Sequence, residues 1–418
     1  MALPASGQID FGQIQTEFGG SNPISMNEYG DKIGLTVGTT STHDIADFYG
    51  LSAMSSISLG SSNQTYSGYR NSAAAFDPNN AGKFVIAMDK KSPSYIGRAV
   101  LGTVSSLGTG TSIGFGGAAL FSDGNIDGVS IAFDPNTSKK FVVAYEDENG
   151  EGVAVVGTIS VSGVTLSFGT PVVFNSVWCE DTCIVFDPHN ANKFVITYST
   201  YLSSWATSAI VGTVSGTSIS FGSDTGFDTA KNNHTALDFD PNTANRFVVT
   251  YARYNTNARA KVGTLSGTSI SFGSEITISS SAASYNQMSF DPNDSDKFIT
   301  AWKDSGGGAT AVGTISGTST SFGTVQYFTT DACTNIDVEF NPNVEGEFVI
   351  SFINDDSEGS VIPGSVSGTT CSFGDEVEFD DAWWGDETWV NFDPNTSGKF
   401  VVSYASTGSV RARVGTLS

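Results

Sequence analysis

The chemistry this chain offers is that of carboxylates and aromatic rings, and the two are densest together in Asp380-Asp381-Ala382-Trp383-Trp384-Gly385-Asp386-Glu387-Thr388-Trp389. Trp383, Trp384 and Trp389 beside Asp386 have the means to stack on sugar rings while acids accept hydroxyl hydrogen bonds. Trp178 and Tyr285 lie in equivalent stretches of sequence and complete the candidate ligand-binding set; Tyr201, Trp205, Tyr254 and His234 lie in stretches of the same kind. Burial is the competing expectation for every one of these rings, with Trp389 opening a strand and Trp383 or Trp384 packed on a neighbouring unit.

Catalysis asks for more than acids. A hydrolase needs two carboxylates in different environments, or a nucleophile with an aligned base. His43, His189 and His234 fall in the N-terminal stretch, a turn and a loop, with no triad-like setting, and the Asp-box pattern of sialidase propellers is absent. No catalytic residue is expected. The acid-rich stretches 123–128, 147–151 and 355–359 hold oxygen ligands of the kind calcium takes, but none has the spacing of a known loop, so solvated charge is the expectation and no metal or cofactor is assigned. Cys179, Cys183, Cys333 and Cys371 are too few and too scattered for a disulfide scaffold, and free thiols are expected.

The elements that must position these residues repeat. Phe133–Tyr145, FDPNTSKKFVVAY, is the second of seven copies, which begin at Phe76, Phe133, Phe186, Phe239, Phe290, Phe340 and Phe392, spaced 50 to 57 residues apart. V-G-T or a near relative follows each, then S-F-G. Each unit parses into four strands. The first alternates apolar and variable residues up to the motif Phe, with Ala75, Asp238 or Glu339 at the variable position. The second is apolar on both faces and therefore lies inside a covered sheet. The third carries small residues for close packing, and the fourth is S-F-G. Asp-Pro-Asn supplies a tight turn and Ser-Gly-Thr-Ser a hairpin. Six of the seven copies place Asp after the Phe and Lys or Arg six residues later, and the sixth loses both, with Asn341 and Glu347. A cross-turn ion pair is the expectation, worth about 0.5 kcal/mol.

Seven four-stranded units predict an all-β, seven-bladed β-propeller over residues 55–418. The chain ends after its last V-G-T, so the missing outer strand must be Ile57-Ser58-Leu59-Gly60, closing the last blade from the N-terminus. Residues 1–54 differ in kind. Asp10, Ser25 and Ser41 or Thr42 each cap a short amphipathic helix, too short to stand alone in water. An anchoring segment that packs on other proteins or on copies of the same chain is expected. A net charge of −24 argues against nucleic acid and anionic membranes as partners. The N-terminus has no signal-peptide pattern, and no apolar run approaches membrane-spanning length.

The opening MALPASGQIDFGQIQTEFGGSNPISMNEY, with IADFYG closing the segment, resembles the N-terminus of structural proteins of marine tailed bacteriophages, tail-fibre and adhesin-like proteins among them. The repeat FDPN…KFVVxY…VGTxSGTSISFG is similar to arrays in such proteins. The resemblance implies a virion component made in the host cytoplasm. It would be a tail-fibre or host-attachment protein, joined to other virion proteins through residues 1–54 and facing a host cell-surface glycan or protein. A purely structural decoration or connector protein is the alternative, and a glycan-processing propeller enzyme the second. Topology adds one expectation. The near-identical turns share one face of the disc with the entering chain, and the variable loops, hence the binding chemistry, share the other.

Overall fold

The computed structural model describes residues 55–90, 96–105, 112–201, 205–254, 256–380, 388–406 and 408–418. The three short helices expected before residue 55, together with Trp383, Trp384 and Asp386, lie outside the described residues. Each repeat folds as one antiparallel sheet, and seven sheets surround a central channel lined from all seven inner strands. These strands are Tyr69–Phe76, Ile126–Phe133, Trp178–Phe186, Asn232–Phe239, Ser284–Phe290, Thr334–Phe340 and Thr388–Phe392. They touch in chain order, and the seventh returns to the first. The fold is a seven-bladed propeller.

The second blade shows the unit. Its inner strand pairs with Lys140–Asp147, with Phe133 opposite Phe141, and that strand pairs with Gly152–Ile159. Two short segments share the fourth position. Leu166–Phe168 pairs with one half of the third strand, and Val172–Asn175, read from sequence as loop, pairs with the other. The broken edge leaves little unpaired backbone for a foreign strand to join. In the last blade these roles fall to Ile57–Leu59 and Asn63–Ser67, both on Ser409–Leu417, with Ile57 opposite Leu417. The chain thus enters on the side of the Asp-Pro-Asn turns, where the Ser56 N–H donates to the Ser418 carbonyl at 2.8 Å.

The spacing of K-F and V-G-T reflects one contact. The second-strand Phe lies over the third-strand Gly, where a Cβ at Gly157 would meet the Phe141 ring at 2.1 Å. The same pair recurs in every blade, from Gly102 and Phe84 to Gly415 and Phe400. The Ser-Gly-Thr-Ser turns are two-residue hairpins with Gly first. Gly216 has φ +65, which a type II′ turn requires at that position.

The Asp of Asp-Pro-Asn does something other than expected. Only Asp240 pairs with its basic partner, Arg246. The Lys83 ammonium instead donates to Thr103 at 2.7 Å and to the Gly163 carbonyl of the next blade, and Lys140 donates to the Gly216 carbonyl of its own neighbour at 2.9 Å. The Asp side chains are buried, and Asp134, Asp291 and Asp393 accept backbone N–H groups from two blades. Asp134 takes Asn136 of its own turn at 2.9 Å and Asn192 of the next blade at 2.8 Å. Asp291 takes Asn293 and Gly346. Asp393 takes Asn395 and, across the ring closure, Gly82 at 2.8 Å. The position on the receiving side is left-handed in all seven blades: Gly82, Lys139, Asn192, Asn245, Asp296, Gly346 and Gly398 have φ between 64 and 74°. In the sixth copy Asn341 accepts the Asn343 N–H at 3.0 Å, while its own amide donates to Glu347. At five of the seven junctions the motif Asn adds a second contact, donating to the next blade's Pro carbonyl: Asn79 to Pro135 (3.1 Å), Asn136 to Pro188 (3.0 Å), Asn293 to Pro342 (3.2 Å), Asn343 to Pro394 (3.4 Å) and Asn395 to Pro78 (3.1 Å).

Asp134→Ala strands two backbone N–H groups, a loss of about 1–3 kcal/mol for each one left unpaired. Urea unfolding is therefore expected to shift strongly for Asp134→Ala and Asp393→Ala and little for Lys140→Ala. Equal losses for Asp134→Ala and Lys140→Ala would restore the ion-pair explanation.

Candidate functional site

On the Asp-Pro-Asn side the channel is collared by Pro78, Pro135, Pro188, Pro241, Pro292, Pro342 and Pro394. At the other mouth the inner strands bulge. Five residues before the motif Phe, Gly128, Asp181, His234, Tyr285 and Asn335 all have φ between 52 and 56°, and the pairing register slips there. A left-handed conformation is costly for a residue with a Cβ, and a bulge re-aims the side chains around it. Tyr285 therefore stands at the channel mouth. Its ring lies 4.8 Å from that of His234, and its N–H donates to His234 Nδ1 at 3.3 Å. Burial keeps His234 neutral, lowering its pKa to about 4. Burial, with Glu180 adding repulsion, raises Asp181 to about 6.

Trp178 is on the same face and is 52 % exposed. It opens the third blade's inner strand, opposite Tyr201, which is itself opposite Trp205. Three aromatic residues thus form a row across the end of that blade, with the Tyr201 and Trp205 rings 5.0 Å apart. Its second and third strands, Lys193–Tyr201 and Trp205–Ser215, have 9 and 11 residues, against 7–8 and 8–10 in the other blades, so the row projects. Lys231 ties it to the fourth blade. Its ammonium lies 4.1 Å from the Trp205 ring, 5.8 Å from that of Tyr254 and 3.7 Å from the Glu180 carboxylate. Glu180 also accepts the Trp178 indole N–H at 3.0 Å. Behind Trp178, between the second and third blades, opens a cleft of about 440 Å³ lined by Asn125, Asp127, Glu146, Asp147, Glu148, Glu180 and Asp181.

Trp389 is elsewhere. It lies three residues before the motif Phe, and strand alternation turns it into the channel, half-buried, with its indole N–H lacking a partner among the described residues. The structure does not bring it to the face that carries Trp178 and Tyr285. The same alternation puts Asp238, Asp337, Glu339, Gln287, Ser289 and Asn391 along the channel, with Ala75, Ala132, Cys183 and Val185 completing the wall. Sequence reasoning noted Asp238 and Glu339 only as variable strand positions; the available signal was an acid at one fixed offset in two copies. Each accepts a backbone N–H from the next blade: Asp238 from Phe290 at 2.9 Å, Glu339 from Phe392 at 2.7 Å and Asp337 from Val390 at 2.8 Å. Burial raises Asp238 and Asp337 to about 7 and holds Glu339 well above the usual carboxylate range, with Asp337 and Asp238 adding to the last.

The remaining candidates act locally. Asp147 accepts the N–H groups of Asn149 and Glu151 within its own turn, and Asn354 that of Glu358. Among the described residues no three His, Cys, Asp or Glu are grouped to hold a metal ion. All four cysteines are free thiols, and Cys183 is one of the channel-lining residues.

No protein-family model and no curated protein sequence matches the chain. Solved structures do. The Cps50 (Swd1) β-propeller domain of Myceliophteria thermophila is 9 % identical, with a TM-score of 0.57 over 87 % of this chain and 100 % of that one. A protein from Lactobacillus plantarum is 14 % identical, with a TM-score of 0.54 over 77 % and 88 %. At such identities the likeness is one of fold.

The channel carboxyls bind their protons more tightly folded than unfolded, where an Asp titrates near 3.8. Their stabilising effect is full below that value and lost as the pH rises towards 7. His234 has the opposite sign, with stability lost as the pH falls from 6.5 towards 4. A combined Asp238→Asn, Asp337→Asn and Glu339→Gln variant leaves His234 in place. Its melting temperature should exceed that of the parent by several degrees more at about pH 8 than at about pH 4.5. An equal gap at both would mean that the three carboxyls titrate normally.

Proposed function

We propose that the chain is a virion component of a tailed bacteriophage, a tail-fibre or host-attachment protein that presents one propeller face to the host surface and is held to the particle by residues 1–54. The observation that carries this reading is polarity. The chain enters on the face of near-identical turns, whereas Trp178, Tyr201 and Tyr254, each about half exposed, gather on the opposite face. An anchor on the entry side leaves that second face free to meet a partner. Contiguous exposed aromatic surface is costly in water and marks interaction sites. The strands Val377–Asp380 and Thr388–Phe392 end and begin on that same face. The channel acids favour a binder over a hydrolase, since both Asp238 oxygens are already engaged by the Phe239 and Phe290 N–H groups.

Gold-labelled antibody against the folded chain, applied to purified particles of the phage that encodes it, is expected to decorate the tail tip or fibres. Particles that carry no label anywhere would remove the virion reading.

A further inference from the structure

We propose that the aromatic row at the end of the third blade and the cleft behind it form a saccharide site whose preferred ligand carries a free amine and no negative charge. This rests on reading the variable face as the binding face.

Trp178 is the anchor. Its ring is exposed yet fixed, since Glu180 holds the indole N–H at 3.0 Å and the ring leans on Gly150, where a Cβ would stand 3.0 Å away. A flat ring fixed in advance loses little conformational freedom when a ligand arrives. A pyranose fits such a ring, because one face of the sugar is a sheet of C–H groups and its rim is hydroxyls. The cleft has the volume of small-molecule pockets. The Asn125 amide and the carboxylates around it are hydrogen-bonding groups for that rim.

The preference for an amine follows from charge and from Lys231. Among the described residues no Lys or Arg lines the cleft. The basic group beside it, Lys231, already shows how an ammonium is held on this surface, over the Trp205 ring at 4.1 Å with Glu180 at 3.7 Å. A ligand amine in the cleft meets the same pair of interactions, an aromatic face in Trp178 and a carboxylate beside it. A sialic or uronic acid meets repulsion from the cleft and from a chain of net charge −24.

The test uses the full-length chain on an array of neutral, amine-bearing and acidic saccharides, followed by titration with glucosamine oligomers. Amine-bearing sugars should bind best, neutral ones more weakly and acidic ones not at all, with the amine preference fading as salt is raised. Trp178→Ala should weaken binding about tenfold or more and Tyr201→Ala several-fold. Tyr327→Ala, an exposed tyrosine on the fifth blade, should leave it unchanged. The proposal falls if no saccharide is retained, if acidic ones are preferred, or if Trp178→Ala and Tyr201→Ala both bind like the parent with native circular dichroism. Labelled particles with a silent array would leave the attachment reading standing without this ligand. Sugar binding with unlabelled particles would keep the site and remove the virion.

Discussion

Buried carboxylates in the Asp-Pro-Asn turns set how neighbouring blades of this propeller stand relative to each other. Among the described residues no strand of one blade pairs with a strand of another, so cohesion comes first from apolar faces. One core cluster joins Val142 and Val156 of the second blade to Phe186 and Phe194 of the third, and another joins Phe76 and Phe84 of the first to Val401 and Val414 of the last. Apolar burial has no direction. Direction comes from Asp134, Asp291 and Asp393, each accepting one N–H from its own turn and one from the next blade. This accounts for the rigid grammar of the motif. Asp must be placed to reach both turns, Pro and Asn carry the parallel contact where the motif is complete, and the receiving residue must be left-handed. Where one part changes, a substitute spans the gap: Arg246 bridges Asp240 and Asp296.

The repeat period, the strand order, the closing strand and the two unlike faces were all legible in the sequence, because each is a pattern repeated many times over. The Asp–Lys pairing was not. Asn341 and Glu347 change together, which fits an ion pair equally well, but the structure gives another reason: the two side chains still hydrogen-bond each other. Covariation marked the proximity of the turn ends and left the mechanism open. The tryptophans fail differently. Parity from the motif Phe puts Trp389 in the channel, and a bulge between Trp178 and Phe186 cancels parity for Trp178. The bulge residues are Gly, Asp, His, Tyr and Asn. They share a backbone conformation and no side-chain chemistry, so nothing in composition announces them.

The channel teaches caution about buried acids. An inner strand is an edge strand, with N–H groups that would otherwise face the channel unpaired. Asp238, Asp337 and Glu339 satisfy such groups on the following blade, and the hydroxyls of Ser130 and Ser289 do the same for Ile184 and Phe340. A hydroxyl and a carboxylate are thus interchangeable in this role. Their raised pKa values follow from depth in the ring and need no catalytic task to explain them.

The same turn carboxylates also explain why the exposed aromatic rings collect where they do. The bridging carboxylates Asp134, Asp291 and Asp393 lie in the Asp-Pro-Asn turns, so they do not fix strand length at the far end. The third blade can lengthen its second and third strands by whole cross-strand pairs while Asp134 still reaches Asn192. Each added pair sets two side chains opposite each other beyond the rim of the disc, and here those positions hold Tyr201 and Trp205. The row of Trp178, Tyr201 and Trp205 is what that freedom has produced.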